Sequence, residues 1–454
     1  MSTDFIWISG PTRSGKTGRL VEQVCIWNGQ PDPLPLHPSV ATALVFAANG
    51  DNRIELADRI ANASRGRSQF DSTTPPGFFQ DEVILFYPLL VEQLGLSAQF
   101  PLRLRPETEQ ELATRLWRSD LNEGRLKQEG VSDYFMVRRT LDLLQLAASS
   151  GIPLEDIPVV LKDGFAGQEG MPELWDHMGD ALLRWRGWCL ERGLLTYGIV
   201  SELYWRYLLP DQTYRDHLRQ RYQWILADDV DEYPAIAHSL FTFFLDQGIP
   251  SCFTYNPNGG LRLGLGADPQ CLDDLAECCQ MVSLTASPSS LGSQWGSDLV
   301  QWVSEPMLLP ELPDTFRVIQ TTSRAQLLRQ TAEAIAAAIH AGEVSASEVA
   351  VIGPGVDAIA RYTLREILTS KGIAVESLND QQPLASSPMV RALLTLLAIV
   401  YPGLGRLLDR DAIAEMLVIL SRPPALDVEE TGLEVAGIDP VRAGLLTDHC
   451  FVPD

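Results

Sequence analysis

At 454 residues, with 45% hydrophobic and 21% charged side chains, the chain has the composition of a folded protein of about two to four domains, not of a disordered one. A formal charge of −24 excludes a protein that coats nucleic acid by bulk electrostatics, but leaves open a local groove built from stacking rings and a few cations. No apolar run approaches the roughly 20 residues that span a bilayer, and no basic leader precedes Arg13; the expected compartment is the cytoplasm, with no membrane partner. Of the seven cysteines, only Cys271, Cys278 and Cys279 cluster, without a nearby His, and they read as reduced structural thiols.

The chain opens on a predicted strand, Phe5 to Ile8, that runs into Gly10-Pro11-Thr12-Arg13-Ser14-Gly15-Lys16-Thr17 and then a helix starting at Lys16 or Thr17. Strand, glycine-bounded loop and helix are the context that the G-x-x-x-x-G-K-[ST] pattern requires. Small residues let backbone N–H groups converge on phosphates, and the helix N-terminus adds a positive dipole end. Lys16, one of only four lysines, would reach the β- and γ-phosphates, and the Thr17 hydroxyl would ligate Mg²⁺. The expected ligand is a nucleoside triphosphate, ATP, with Mg²⁺.

Ala43 to Ala48 reads as a second strand and Ile54 to Ala63 as an amphipathic helix, while Glu82 to Leu94 continues the sheet or its covering helix. From Pro101 to Tyr197 the pattern is helical, with Leu112, Leu116, Val137, Leu141, Leu144 and Leu183 at spacings of three and four. This stretch carries Arg103, Arg105, Arg115, Arg118, Arg125, Arg138, Arg139, Arg184 and Arg186. They read either as a strand-binding surface or as solvated helix faces interleaved with acids. The apolar run Tyr222 to Ala227 ends in Asp228 and Asp229, as a central parallel strand does when its carboxyl end faces a ligand crevice. Asp228 would hold Mg²⁺ and Asp229 would orient the attacking water; the alternative is a helix N-cap with a solvated acidic turn. Roughly 200 residues separate these acids from the loop, so another domain must be inserted between two strands of one sheet.

Ser251 to Tyr255 is a further strand, and Thr285 to Gly296 reads as a linker. Strands at Phe316–Gln320, Val349–Gly353 and Ile373–Ser377 then alternate with helices at Ala325–His340 and Ile359–Lys371, predicting a second parallel sheet. From Pro388 the pattern is helical, to a loose end at Asp427 to Asp454.

The order of these parts resembles the UvrD/Rep-like superfamily I DNA helicases. Ala47-Ala48-Asn49 with Arg53 and Glu55 is similar to the family's segment that touches single-stranded DNA, which implies DNA contacts for Asn49 and Arg53. Leu226-Ala-Asp228-Asp229-Val-Asp-Glu232 is similar to its metal-and-base strand, and Tyr255-Asn-Pro-Asn-Gly259 stands where the family has Gly-Asp-Pro-x-Gln, with Gly259 in place of the Gln. Glu348-Val-Ala-Val-Ile and Gly372-Ile-Ala-Val resemble the opening of the second motor domain, with Gly353 and Pro354 where Tyr-Arg is usual. No glutamine motif precedes the loop, and the family's later arginine has no match before Asp454, so the chain reads as an N-terminal part of a longer protein. These departures, with Asn379 to Pro388, resemble the AddB-type subunits of nuclease–helicase complexes.

The resemblance implies an α/β fold of two P-loop (RecA-like) parallel-sheet domains. Residues 1–98 and 198–284 form the first, 99–197 are a helical insertion and 285–312 a linker. Residues 313–386 are an incomplete second motor domain, and 387–454 start a second helical insertion. It further implies an ATP-dependent helicase or translocase on single-stranded or partly duplex DNA in repair or recombination. The other implied role is a non-motor subunit beside a second helicase or nuclease chain.

Overall fold

Phe5–Ser9 can be satisfied only inside a sheet covered on both sides, because adjacent Trp7 and Ile8 point to opposite faces and both are apolar. That is where the strand lies in the computed structural model, with Trp7 and Ile8 at most 1% exposed. The structure describes residues 4–29, 42–165, 171–286, 291–305, 316–353, 356–376, 387–401, 408, 410–421 and 437–450, in two units, Met1–Pro310 and Glu311–Asp454.

In the first unit the strands are β1 (Phe5–Ser9), β2 (Thr42–Phe46), β3 (Gln69–Thr73), the short β4 (Leu102–Arg103) and β5 (Leu194–Leu195), β6 (Tyr222–Ala227), β7 (Ser251–Tyr255) and β8 (Gln280–Ser283). Six of them form one sheet in the order β3-β2-β6-β7-β1-β8, every neighbouring pair parallel. On one face Ile8, Ala43, Val45, Leu226 and Cys252 pack against Leu20 and Val24 of α1 (Lys16–Gly29) and Leu56 and Ile60 of α2 (Gly50–Ser64). On the other, Trp7, Leu44, Phe46, Ile225 and Phe253 enter a larger apolar cluster that continues into the helices between β3 and β6. Phe79 stacks on Tyr204 at 4.4 Å between ring centroids, and Phe46 meets Phe78 edge-on at 5.3 Å. The inserted helices therefore share a core with the sheet. β4 pairs with β5 and clasps the insertion where the chain enters and leaves it.

Because every strand is parallel, Ser9, Phe46, Ala227 and Tyr255 all end on one edge of the sheet. β7 lies between β1 and β6, so the turn after β1 and the acids after β6 are two inter-strand spacings apart, about 10 Å. That distance is short enough for side chains to bridge.

The sequence reading missed both edge strands, β3 and β8, and Glu82–Leu94 is helical, divided between Pro75–Leu85 and Tyr87–Leu94. Leu291–Ser304 is a helix inside the stretch read as a linker; Leu291, Trp295, Leu299 and Trp302 recur at helical spacing and override the Ser and Gly between them. In the second unit the helices Arg324–His340 and Ala358–Ser370 pack through Ala332, Ala336, Leu364 and Leu368. Pro388–Val400 and Arg410–Leu420 pack through Ala392, Ile413 and Met416, and Pro440–Cys450 is helical where a loose end was expected.

The expected second parallel sheet is not formed among the described residues. Phe316–Gln320, Val349–Gly353 and Ile373–Glu376 are irregular, with Val318 and Ile352 exposed. A strand exists only as part of a hydrogen-bonded ladder, and among the described residues these segments form no ladder. Pro354, Ser377 and 379–386 lie outside the described residues. The fold is α/β with one mostly parallel six-stranded sheet, and among the described residues no helix is long and apolar enough to cross a membrane.

One carboxyl group inside the insertion makes a stability prediction. Glu109 is 6% exposed, and burial pushes it up to about 7 against the opposing charge of Arg138, 4.0 Å away. The folded state thus favours the protonated form. The associated stability is full below the unfolded value near 4.5 and is lost as pH rises through about 7. Between pH 5 and pH 7.5 the wild type should lose up to about 3 kcal/mol that Glu109→Gln does not lose. Urea unfolding followed by the fluorescence of buried Trp117 and Trp185 checks it; parallel losses in the two proteins would acquit Glu109.

Candidate nucleotide-binding site

The loop from Gly10 to Thr17 begins where Gly10 N donates to the Tyr255 carbonyl at 3.1 Å, and it closes on Ser14 N donating to Pro11 O at 3.2 Å. A Cβ at position 10 would lie 2.5 Å from Ser14 Oγ and 3.0 Å from the Leu284 carbonyl, so the turn requires glycine there. Arg13 sits at φ 61 on the exposed tip, with Pro11, Thr12 and Ser14 completing the bend. The loop delivers Lys16 and Thr17 to the first turn of α1, as its N-terminal residues.

Thr17 and Asp228, 211 positions apart, meet: Thr17 Oγ1 donates to Asp228 Oδ2 at 2.9 Å. Lys16 is 7% exposed; its Nζ donates to Pro11 O at 3.3 Å and lies 3.8 Å from Asp229 Oδ1. The second oxygen of Asp228 accepts from Thr254 Oγ1 at 2.6 Å, and Tyr233 OH donates to the Asp228 carbonyl at 2.8 Å. Burial, and then the charge of Asp229, push the Asp228 carboxyl up to about 6, while hydrogen bonds from Thr254 and Thr17 and the charge of Lys16 pull the other way. Burial also raises Asp231 and Glu232. Asp229 precedes a single 3-10 turn, Val230–Glu232, and makes no capping bond, so the helix N-cap alternative is not what this segment forms.

Thr17 uses its one proton on Asp228, which leaves its oxygen lone pairs for a cation. One hydroxyl beside one carboxylate suits Mg²⁺, which takes few protein oxygens and completes its octahedron with water and phosphate oxygens. Among the described residues no three His, Cys, Asp or Glu converge as a protein cage for a metal, and all seven cysteines are free thiols.

The residues expected at DNA follow β2, the strand beside β6, and are engaged in local hydrogen bonds. Asn49 is the N-cap of α2, its side chain accepting from Asp51 N and Asn52 N at 3.0 Å each. Arg53 is half-buried and donates to the Ser72 carbonyl. In the insertion Arg115, Arg125, Arg138, Arg184 and Arg186 pair with Glu111, Asp120, Asp142, Asp120 and Glu202 respectively. Arg139 binds Gln128 and Arg103 binds Tyr197. This pairing is the interleaved pattern of a solvated, charge-balanced helix surface.

Three further residues shape the site and were not singled out in the sequence. Thr254 is fully buried in β7. Asp231, 2% exposed, accepts Asn256 N at 2.8 Å, and Asn256 Nδ2 reaches Thr12 Oγ1 at 3.3 Å, tying the turn after β7 to the Gly10–Thr17 loop. A polar residue between Phe253 and Tyr255 in a buried central strand, which also carries Ser251, was the available signal for Thr254; the other two need the strand order. At Gly259 a Cβ would lie 2.0 Å from Asp231 Oδ2, so the Asp231 carboxylate occupies the space that a Gln would need.

The chain matches no protein-family model, and no curated protein sequence matches it.

Proposed function

We propose that the first unit binds Mg-ATP at the Gly10–Thr17 loop and hydrolyses it to drive movement on single-stranded or partly duplex DNA. The observation that carries this reading is the Thr17–Asp228 hydrogen bond, which joins a phosphate loop to an acid-bearing strand end across the sheet. Lys16 and the N-terminal amides of α1 would hold the β- and γ-phosphates. Thr17 and Asp228 would hold Mg²⁺, which when bound neutralises charge on the phosphate oxygens. Asp229, 30% exposed and 3.8 Å from Lys16, would accept a hydrogen bond from the attacking water and align it on the terminal phosphorus. Asn49 and Arg53, at the carboxyl end of β2, remain the proposed DNA contacts; in the insertion Arg115, Arg125, Arg138, Arg184 and Arg186 are each paired with an acid.

A second reading is a non-motor subunit that binds ATP beside a partner helicase or nuclease chain. It is favoured by the absence at Gly259 of a side chain that could sense the terminal phosphate. Turnover separates the two. The motor reading expects single-stranded DNA to raise ATPase activity of the full-length protein at least tenfold, an effect of about 1.4 kcal/mol on the barrier. Tight ATP binding with no turnover on any DNA would replace it with the second reading.

A further inference from the structure

Thr254 stands on β7, the strand between the loop strand β1 and the acid strand β6, and its side chain is wholly buried. Its Oγ1 lies 2.7 Å from Asp229 N and 2.6 Å from Asp228 Oδ1. A backbone N–H can only donate, so the hydroxyl accepts there with a lone pair. Its single proton is left for Asp228, and this fixes the direction of the whole chain of bonds. Asp228 then has both carboxylate oxygens engaged, one by Thr254 and one by Thr17. Asp229 meanwhile sits at φ 55, a left-handed backbone that a non-glycine residue adopts at a cost of about 1–2 kcal/mol unless its surroundings hold it. The bond from its N–H to Thr254 is one such hold. β-branching restricts the rotamer of Thr254 in the strand, so the hydroxyl is aimed before any ligand arrives.

We propose that Thr254 is a positioning residue of this site, a single hydroxyl that orients the Asp228 carboxylate toward Thr17 and pins the Asp229 backbone in the turn that presents its side chain beside Lys16. It touches neither nucleotide nor metal; it acts through the two acids. The proposal rests on the Mg-ATP reading above. Val matches Thr in shape but removes the hydroxyl, and Ser keeps the hydroxyl without the branch.

The test uses the full-length protein as wild type, Thr254→Val and Thr254→Ser. It measures kcat and KM for ATP, melting temperature, and the affinity of a fluorescent ATP analogue in Mg²⁺ and in EDTA. Thr254→Val is expected to lower kcat on the order of 10²-fold and to remove most of the affinity gained with Mg²⁺. Affinity in EDTA should stay within about twofold, and Thr254→Ser should recover kcat to within about fivefold of wild type. The positioning role is overturned if Thr254→Val retains kcat and the Mg²⁺-dependent gain of an active wild type. It is equally overturned if the Val variant loses affinity in EDTA in step with its melting temperature, which marks a purely structural residue. A wild type that neither binds nor hydrolyses Mg-ATP defeats the parent reading instead, and this proposal with it.

Discussion

Lys16→Ala should lower ATP turnover on the order of 10³-fold while leaving the fold intact. The ammonium is 7% exposed and sits inside the loop, 3.3 Å from the Pro11 carbonyl. A cation so shielded from water would be screened little at bound phosphates, so its removal would be felt at the developing charge of the transition state. Stability should change little, because the residue opens α1 and belongs to neither apolar cluster, and Ala is a good helix former. Steady-state ATPase assays with a melting curve as control decide it. Turnover within tenfold of wild type in a pure, folded variant would remove the phosphate-loop assignment.

Gly259→Gln should damage the protein rather than restore a phosphate sensor. The new Cβ would fall 2.0 Å from Asp231 Oδ2, 2.8 Å from its Cγ and 2.9 Å from the Asn256 carbonyl. Asp231 is 2% exposed and must move, giving up the Asn256 N–H it accepts at 2.8 Å. Overpacking together with loss of a partly buried hydrogen bond costs about 1–3 kcal/mol, so the melting temperature should fall and nucleotide affinity with it. Adding Asp231→Ala removes the obstructing carboxylate and should recover part of the loss. An unchanged melting temperature in Gly259→Gln alone would show that the Asp231 side chain yields freely, contrary to its buried setting.

The centre of the sheet was readable because its strands are buried on both faces: Trp7 beside Ile8, Leu44 beside Val45, and Ile225 beside Leu226 are apolar without alternation. β3 and β8 were not. They are the edges, where Gln69 and Asp71 in one and Gln280 and Met281 in the other are exposed, so backbone pairing defines them and side-chain pattern does not. The site divides in the same way. Lys16, Thr17, Asp228 and Asp229 carry their chemistry in local motifs. Thr254, Asp231 and Asn256 matter through neighbours that only the order β6-β7-β1 brings close. In the second unit, short apolar runs such as Val349–Gly353 have the composition of strands, and among the described residues they are irregular.

The strand order also sets how the chain must fold. β1 can add no partner until β7 and β8 have emerged, and Phe5 pairs with Ser251 across most of the first unit. Contacts so distant in sequence slow folding, because loop-closure entropy is spent before the ladder repays it. The inserted helices, local in sequence and clasped at their base by β4 and β5, can collapse first and shorten the distance that β1 must bridge. The Gly10–Thr17 loop, hung on the first strand, is thus held in place by strands that come more than 200 residues later. During synthesis the Thr17–Asp228 hydrogen bond cannot form until β6 has emerged and the sheet has closed around β7.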